Sequence, residues 1–496
     1  MTTKLERRTY GNWTKPRSAG FFGMTQETSI IVLGSLIVLM LAIMTGGWQI
    51  GLPLLLFEVV VLTPLVIRLG DESGYERGLI MFKFLRAKAK GETTYRSGRF
   101  SRVPGGNFRL PGLLHKTELY NVPAAGLGDF ALANDRQKGF YTVWFHCTPS
   151  GAEAIEQDSI DHMVDHWAAF LEDASNLTDL ISVAVTHETR PESGIRLQTE
   201  ADRVTAGGSV DLARDIIQEA AGVLPQMSAQ LSSRVAITFK ATTAETRKNV
   251  RAEATEIARF LPALMSRLKQ AGVSVSLMNV DEVTGFVHSA YAPEKENEIE
   301  SALVTGHDHG YTWDNCGPQS AKETNRDYLH DGYKSVTWEM TQAPRGLVHE
   351  DVLTPLFEIT PDLPRKRVTM FFRPHSAADS ATIADQDYRD NLFRANSAQG
   401  IGNLSDTMAA GAANQARFEV TSGSRLVRFG LMITITHDAE DASELARQES
   451  VTEQRARQCG LKIRRCRSWQ AAAFASCLGA GIVLPEETSF SKFIAG

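Results

Sequence analysis

Thr28-Ser-Ile-Ile-Val-Leu-Gly-Ser-Leu-Ile-Val-Leu-Met-Leu-Ala-Ile-Met-Thr45, then Gly46-Gly47-Trp48-Gln49, then Ile50-Gly-Leu-Pro-Leu-Leu-Leu-Phe-Glu-Val-Val-Val-Leu-Thr-Pro-Leu-Val-Ile67, form a stretch whose only ionisable side chain is Glu58. A bilayer core of about 30 Å needs ~20 apolar residues as a helix. As one helix this stretch would run about 60 Å, twice the need. The Gly46-Gly47 pair breaks it near the middle, and the Trp48 ring suits the membrane interface. The pattern therefore predicts a transmembrane hairpin over 28–67, with helices at 28–46 and 48–67. A cleaved signal peptide would need one short apolar core of ~7–15 residues, and two long tandem segments do not fit it.

The flanks orient the hairpin. Lys4, Arg7, Arg8, Lys15 and Arg17 precede it, and Arg68, Arg77, Lys83, Arg86, Lys88 and Lys90 follow it, while the turn carries no charge. The positive-inside rule places both termini in the cytosol, with the chain a multi-pass protein of the cytoplasmic membrane. Glu58 falls near the middle of the second helix. A carboxylate there is costly if charged, so it is expected to be protonated or paired, either contacting a partner helix or bonded within the hairpin. Residues 74–90 read as an amphipathic juxtamembrane helix, with Ile80, Phe84 and Ala87 on one face. Lys83, Arg86 and Lys90 are placed to meet either anionic lipid or solvent.

Outward from the hairpin, the chain of 496 residues has room for several folding units. Its 43% hydrophobic and 22% charged residues exclude a wholly disordered chain, and a net charge of -6 gives no basic field for nucleic acid. The five cysteines are scattered without CxxC spacing, as expected of free thiols in a reducing compartment. The expected organisation is a tail at 1–27, the hairpin at 28–67, a juxtamembrane helix and linker at 68–113, an α+β unit at 114–305, a linker at 306–325, a second α+β unit at 326–484 and a tail at 485–496. Strands are expected at 140–147, 180–186, 235–239 and 273–280, with helices at 158–174, 210–231 and 245–271. The second unit repeats the order with strands at 335–340, 367–372, 428–436 and 461–465. Ala271-Gly272-Val273 and Cys459-Gly460-Leu461 occupy matching places. The expected fold is α+β: the hairpin followed by two ferredoxin-like (βαββαβ) cytosolic units.

The chain has no Gly-Lys dipeptide, and hence no phosphate-cradling loop with its lysine; it also has no HExxH and no GxSxG. The expectation is a non-enzyme without cofactor. His162 and His166 share a helix face, and His307-Asp308-His309 forms a loop cluster. Neither spacing demands zinc, but the loop cluster defines an alternative, a membrane-tethered metal-dependent hydrolase. A membrane scaffold or receptor unrelated to secretion is a third possibility.

Lys15-Pro16-Arg17, Gly20-Phe-Phe-Gly23 and the hairpin resemble the PrgI family of small membrane subunits of Gram-positive type IV secretion and conjugation systems. Trp313-Asp314, Asp331-Gly332-Tyr333, Cys459-Gly460-Leu461-Lys-Ile-Arg464-Arg465, Gln470-Ala-Ala-Ala-Phe474 and Cys477-Leu478-Gly479 resemble the N-terminal domain of the conjugative ATPases (the TraC/TrbE/CagE group). The resemblance implies a PrgI-like hairpin fused to that domain without its motor. It also implies a structural subunit that docks a separate secretion ATPase within an oligomeric complex. Phe490 and Phe493 in the tail are candidate anchors for that partner.

Overall fold

The computed structural model describes residues 7–11, 26–66, 68–69, 72–98, 109–124, 126–151, 155–177, 179–207, 211–241, 243, 249–344, 346–397 and 404–487. Its contacts divide the chain into two compact units. One comprises residues 12–92, 382–418 and 485–496, and the other comprises residues 1–11, 93–381 and 419–484.

The first of these units is mainly helical. α1 (Gln26–Val66) is followed by a small antiparallel ribbon, β1 (Arg68–Leu69) with β2 (Glu72–Ser73), and by α2 (Gly74–Lys90). In place of two separately bounded helices there is one helical element, interrupted at Gly47 (φ 62°, ψ -169°). Only glycine occupies that region without strain. Only this one residue departs from helical geometry, so the element resumes at once on the far side. Val32–Val60 is long and apolar enough to cross a membrane.

The second unit is built on one thirteen-stranded sheet in which every pairing is antiparallel. In chain order its strands and helices begin with β3 (Thr94–Arg96), β4 (Thr117–Ala124), β5 (Gly128–Asp135), β6 (Phe140–Pro149), α3 (Gln157–Asn176) and β7 (Leu180–Pro191). There follow α4 (Ile195–Thr205), α5 (Asp211–Val223), β8 (Ala229–Lys240), α6 (Val250–Gln270), β9 (Val273–Leu277), α7 (Val280–Tyr291) and α8 (Glu296–Thr305). Next come β10 (Ser320–Glu323), β11 (Tyr328–His330), β12 (Tyr333–Gln342), α9 (Thr354–Phe357) and β13 (Lys366–Pro374). β14 (Val427–Asp438), α12 (Ala442–Gln458), β15 (Lys462–Arg465) and α13 (Gln470–Cys477) complete the unit, while α10 (Ala377–Ser397) and α11 (Leu404–Thr421), which precede β14 in the chain, and α14 (Leu484–Glu487) lie mostly among the residues of the first unit.

The sheet order is β3-β10-β11-β12-β14-β13-β7-β8-β6-β5-β4, with β15 on β12 and β9 on β6. Two runs of chain share one connection. Strands β6, β7, β8 and β9 lie in the order β9-β6-β8-β7, and β12, β13, β14 and β15 lie in the order β15-β12-β14-β13. The expectation of two ferredoxin-like units is corrected at their junction. β13 pairs with β7 from Lys366↔Thr189 to Phe372↔Val183, so the sheet runs through without an edge. The physical reason is that both strands are apolar on one face and polar on the other. Left unpaired, each would be a long, sticky edge.

Both faces of the central strands are covered. Phe145, Val185, Val235 and Ile237 pack on α3 and α6, while Val368, Ile433 and Leu431 pack among Leu356, Ala456 and Leu461. The opposite face carries Trp144, Ala184 and Ala236 against Phe474, Ala475 and Leu478. Helices α6 and α12 both end at a left-handed glycine, Gly272 (φ 78°) and Gly460 (φ 69°), that feeds the fourth strand of its run. All five cysteines are buried free thiols.

Candidate functional site: the apolar helix and the sealed interior

Around the Gly47 break, burial follows a narrow stripe. Ser35, Leu39, Ala42 and Gly46 precede the break, and Gly51, Leu54, Glu58 and Leu62 follow it; all are buried or half-buried at spacings of three and four. The Ile43 side chain lies so close to Gly51 that a Cβ there would have no room. Eight residues of continuous helix would hold those positions about 12 Å apart. The small residues permit close approach of helix backbones. Leu36, Met40, Met44, Phe57 and Val60, off this stripe, are exposed. Ser35 and Thr45 satisfy their hydroxyls on the carbonyls of Val32 and Leu41, each at 2.9 Å.

Glu58 is 8% exposed, on the buried stripe, while Trp48 is 73% exposed directly after the break. On α2, Phe84 is buried, and Lys83, Arg86 and Lys90 lie on the exposed surface. Lys90 Nζ is 3.7 Å from Glu92. Phe490 and Phe493 lie outside the described residues.

The loop cluster does not converge. His307 Nδ1 meets the Thr305 hydroxyl at 2.9 Å, and Asp308 accepts the Gly310 N–H at 2.7 Å. His309 Nδ1 accepts the Tyr311 N–H at 3.1 Å, which leaves Nε2 to donate to the Asp281 carbonyl at 2.9 Å. His162 is exposed and His166 half-buried on α3. Among the described residues no three His, Cys, Asp or Glu side chains are grouped to hold a metal.

What the interior does concentrate is charge, at the β7–β13 junction. Arg367 donates Nε and Nη2 to Glu188 Oε1 at 3.2 and 2.6 Å, and Arg234 Nη1 donates to Oε2 at 2.9 Å. Burial alone would raise the Glu188 carboxyl. The two guanidinium groups more than offset this and hold it well below the ordinary carboxylate range. Arg234 stacks on Phe286 at 4.2 Å and Arg367 on Phe474 at 5.5 Å. Arg234 Nε and Nη2 and Arg367 Nη1 find no hydrogen-bond acceptor among the described residues. A second tier continues the ladder, with Arg190 and Arg365 on Glu296 at 2.7 and 2.6 Å and Arg196 on Glu300 at 2.9 Å. Sequence reading missed this network. Its signal was the alternation Thr186, Glu188, Arg190 along one face of a strand otherwise apolar.

His330, Ser335 and Thr436 form another sealed chain. His330 Nδ1 donates to the Tyr291 carbonyl at 2.6 Å, and Nε2 accepts from Ser335 Oγ at 2.8 Å. This resembles a nucleophile–base pair in its bonding, but Ser335 is fully buried and Thr436 takes its other side at 2.7 Å. Burial pushes His330 down to about 4.

The motif at 470–482 is a strap across the sheet. Gln470 brackets the Thr337 peptide, accepting its N–H at 2.9 Å and donating to its carbonyl at 3.1 Å. Cys477 O accepts from Thr369 at 2.6 Å, and Gly479 O accepts from Trp144 Nε1 at 2.8 Å. A Cβ at Gly479 would strike Thr186, and one at Gly481 would strike Thr142. The two glycines are thus required by contact with β7 and β6, while the Cys477 carbonyl ties the strap to β13 of the second run. Asp331 and Gly332, both at positive φ, form the tight turn between β11 and β12, and the Asp331 carboxylate accepts the Gln319 and Ser320 N–H groups at 2.8 Å.

A family model described as Domain of unknown function (DUF8461) matches residues 17–76. The match spans α1 and the short ribbon after it and stops at the start of α2. No curated protein matches the chain.

Proposed function

We propose that this chain is a structural inner-membrane subunit of a type IV secretion or conjugation-like apparatus, with α1 folded back at Gly47 as a membrane hairpin and the sheet unit serving as a docking body for a separate cytosolic ATPase. The observation that carries the membrane part is the contrast within α1. A stripe of Ser35, Leu39, Ala42 and Gly46 is withdrawn together with Gly51, Leu54 and Glu58, while large apolar side chains cover the remaining surface. An exposed apolar surface of that length needs lipid or protein around it. The repeated strand order in the sheet unit supports reading it as two βαββαβ repeats merged edge to edge. The docking role rests on the resemblance of the motifs at 313–333 and 459–479 to the N-terminal domain of conjugative ATPases. It is tested by co-expressing the full-length protein with any Walker-motif ATPase found in a neighbouring gene and purifying in mild detergent. Stoichiometric retention of the ATPase supports docking, and its loss with both proteins folded defeats it. The deletion of 486–496 tests the Phe490 and Phe493 anchors in the same assay.

A further inference from the structure

We infer that α2 is an interfacial helix that lies on an anionic lipid surface. The inference rests on the membrane reading of α1. At ~100° per residue, Met81, Leu85, Ala89 and Phe82 fall within an arc of about 100° on α2. Phe82 is 62% exposed, Leu85 50% and Met81 40%. The buried Phe84, with Ile80 and Ala87 beside it, occupies a different face, so the apolar arc is a second one, exposed among the described residues.

Basic side chains border that arc on both sides. Arg77 and Lys88 lie along one margin, and Arg86, Lys90 and Lys83 along the other, while Glu76 is the only acidic residue in the helix. This is the distribution of a helix that sinks its apolar face to the headgroup boundary and spreads its cations over the phosphates. Position argues for the same occupant. α1 ends at Val66 and α2 begins at Gly74, and the seven residues between them reach ~25 Å at most. A helix tethered that closely to a membrane segment meets the bilayer surface before any soluble partner. Phosphatidylglycerol or another anionic lipid supplies the complementary charge, at about a fivefold gain in occupancy per Lys or Arg.

The test uses full-length protein reconstituted into phosphatidylcholine vesicles, with and without phosphatidylglycerol. An environment-sensitive fluorophore is placed at Phe82→Cys or, separately, at Phe57→Cys. The label at 82 should be blue-shifted and quenched by brominated acyl chains in the anionic vesicles, and weakly so in phosphatidylcholine alone or at high salt. Lys83→Gln/Arg86→Gln/Lys90→Gln should lower the embedded fraction by about fivefold per charge. The label at 57 should be quenched in both vesicles. Quenching at 57 with a water-like, unquenched signal at 82 in anionic vesicles overturns the interfacial helix alone. Equal quenching at 82 with or without the three charges overturns the anionic preference. An unquenched label at 57 overturns the membrane reading on which the inference stands.

Discussion

Replacing Glu188 by Gln should destabilise the sheet unit more than any surface charge change. The carboxylate faces Arg367 through two N–H groups and Arg234 through a third, with all three side chains nearly or fully removed from water. Glu188→Gln keeps the size but leaves two buried guanidinium groups without a counter-charge. Breaking a buried pair in this way costs about 3–5 kcal/mol. With an unfolding entropy of ~2.1 cal/mol/K per residue over roughly 350 residues, the midpoint should fall by about 4–7 °C. Calorimetry of the full-length protein in detergent reads this directly. Glu200→Gln, which breaks an exposed pair with Arg203, is the control and should leave the midpoint in place. Glu188→Leu combined with Arg234→Met and Arg367→Leu should recover much of the loss, because an apolar replacement removes both the charges and their desolvation. The sign with pH is also fixed. The Glu188 carboxyl is held low in the fold, so its contribution is present above the ordinary carboxylate range and is lost as pH falls from that range toward the lowered folded value. The gap between wild type and Glu188→Gln should narrow in acid. A Glu188→Gln protein that melts with wild type at neutral pH would refute the reasoning.

Three further outcomes follow from the same geometry. His330 and His187 are both pushed down to about 4 by burial, below the ordinary histidine value of 6.5. The unfolded chain therefore takes up protons first, and stability should fall between pH 6.5 and 4 by up to ~3 kcal/mol per histidine. Urea midpoints across that range should slope less steeply in His330→Gln; an unchanged slope would show that His330 is not held neutral. Gly481→Ala, at φ 82° and against Thr142, should cost about 2–5 kcal/mol. Gly151→Ala, at φ 79° with open space around it, should cost only ~1 kcal/mol; equal losses in thermal melts would argue against strap contact. Glu58→Gln should assemble in the membrane better than Glu58→Leu, since Gln keeps polar hydrogens on the buried stripe. Wild-type behaviour of both would make Glu58 incidental.

The parts of this fold legible in the sequence were those whose signal is local. The apolar run, the aromatic strand at Phe140–Pro149 and the glycine-terminated helices at 272 and 460 each declare themselves within about ten residues. The β7–β13 pairing joins residues some 180 positions apart, and nothing within either strand names the other. Nothing within their own strands marks Glu188, Arg234 and Arg367 as buried; that pairing, with α7 over Arg234 and α13 over Arg367, encloses them. The helix expected at 210–231 stops at Val223, because Pro225 opens a short turn and β8 starts at Ala229. The strand expected to reach Val280 ends at Leu277. There Asn279 and Glu282 form a capping box that starts α7, a local signal present in the sequence itself. Of the candidate site, the sequence supplied Trp48 and Glu58 in the apolar run but not the stripe that withdraws Glu58 while leaving Trp48 exposed.

The most direct test of the account is the topology of α1 in intact cells, read with a membrane-impermeant maleimide on single introduced cysteines. Gln49→Cys should label from outside, while Thr3→Cys and Ser489→Cys should label only after lysis. Outside labelling of either Thr3→Cys or Ser489→Cys, or protection of Gln49→Cys, would contradict it.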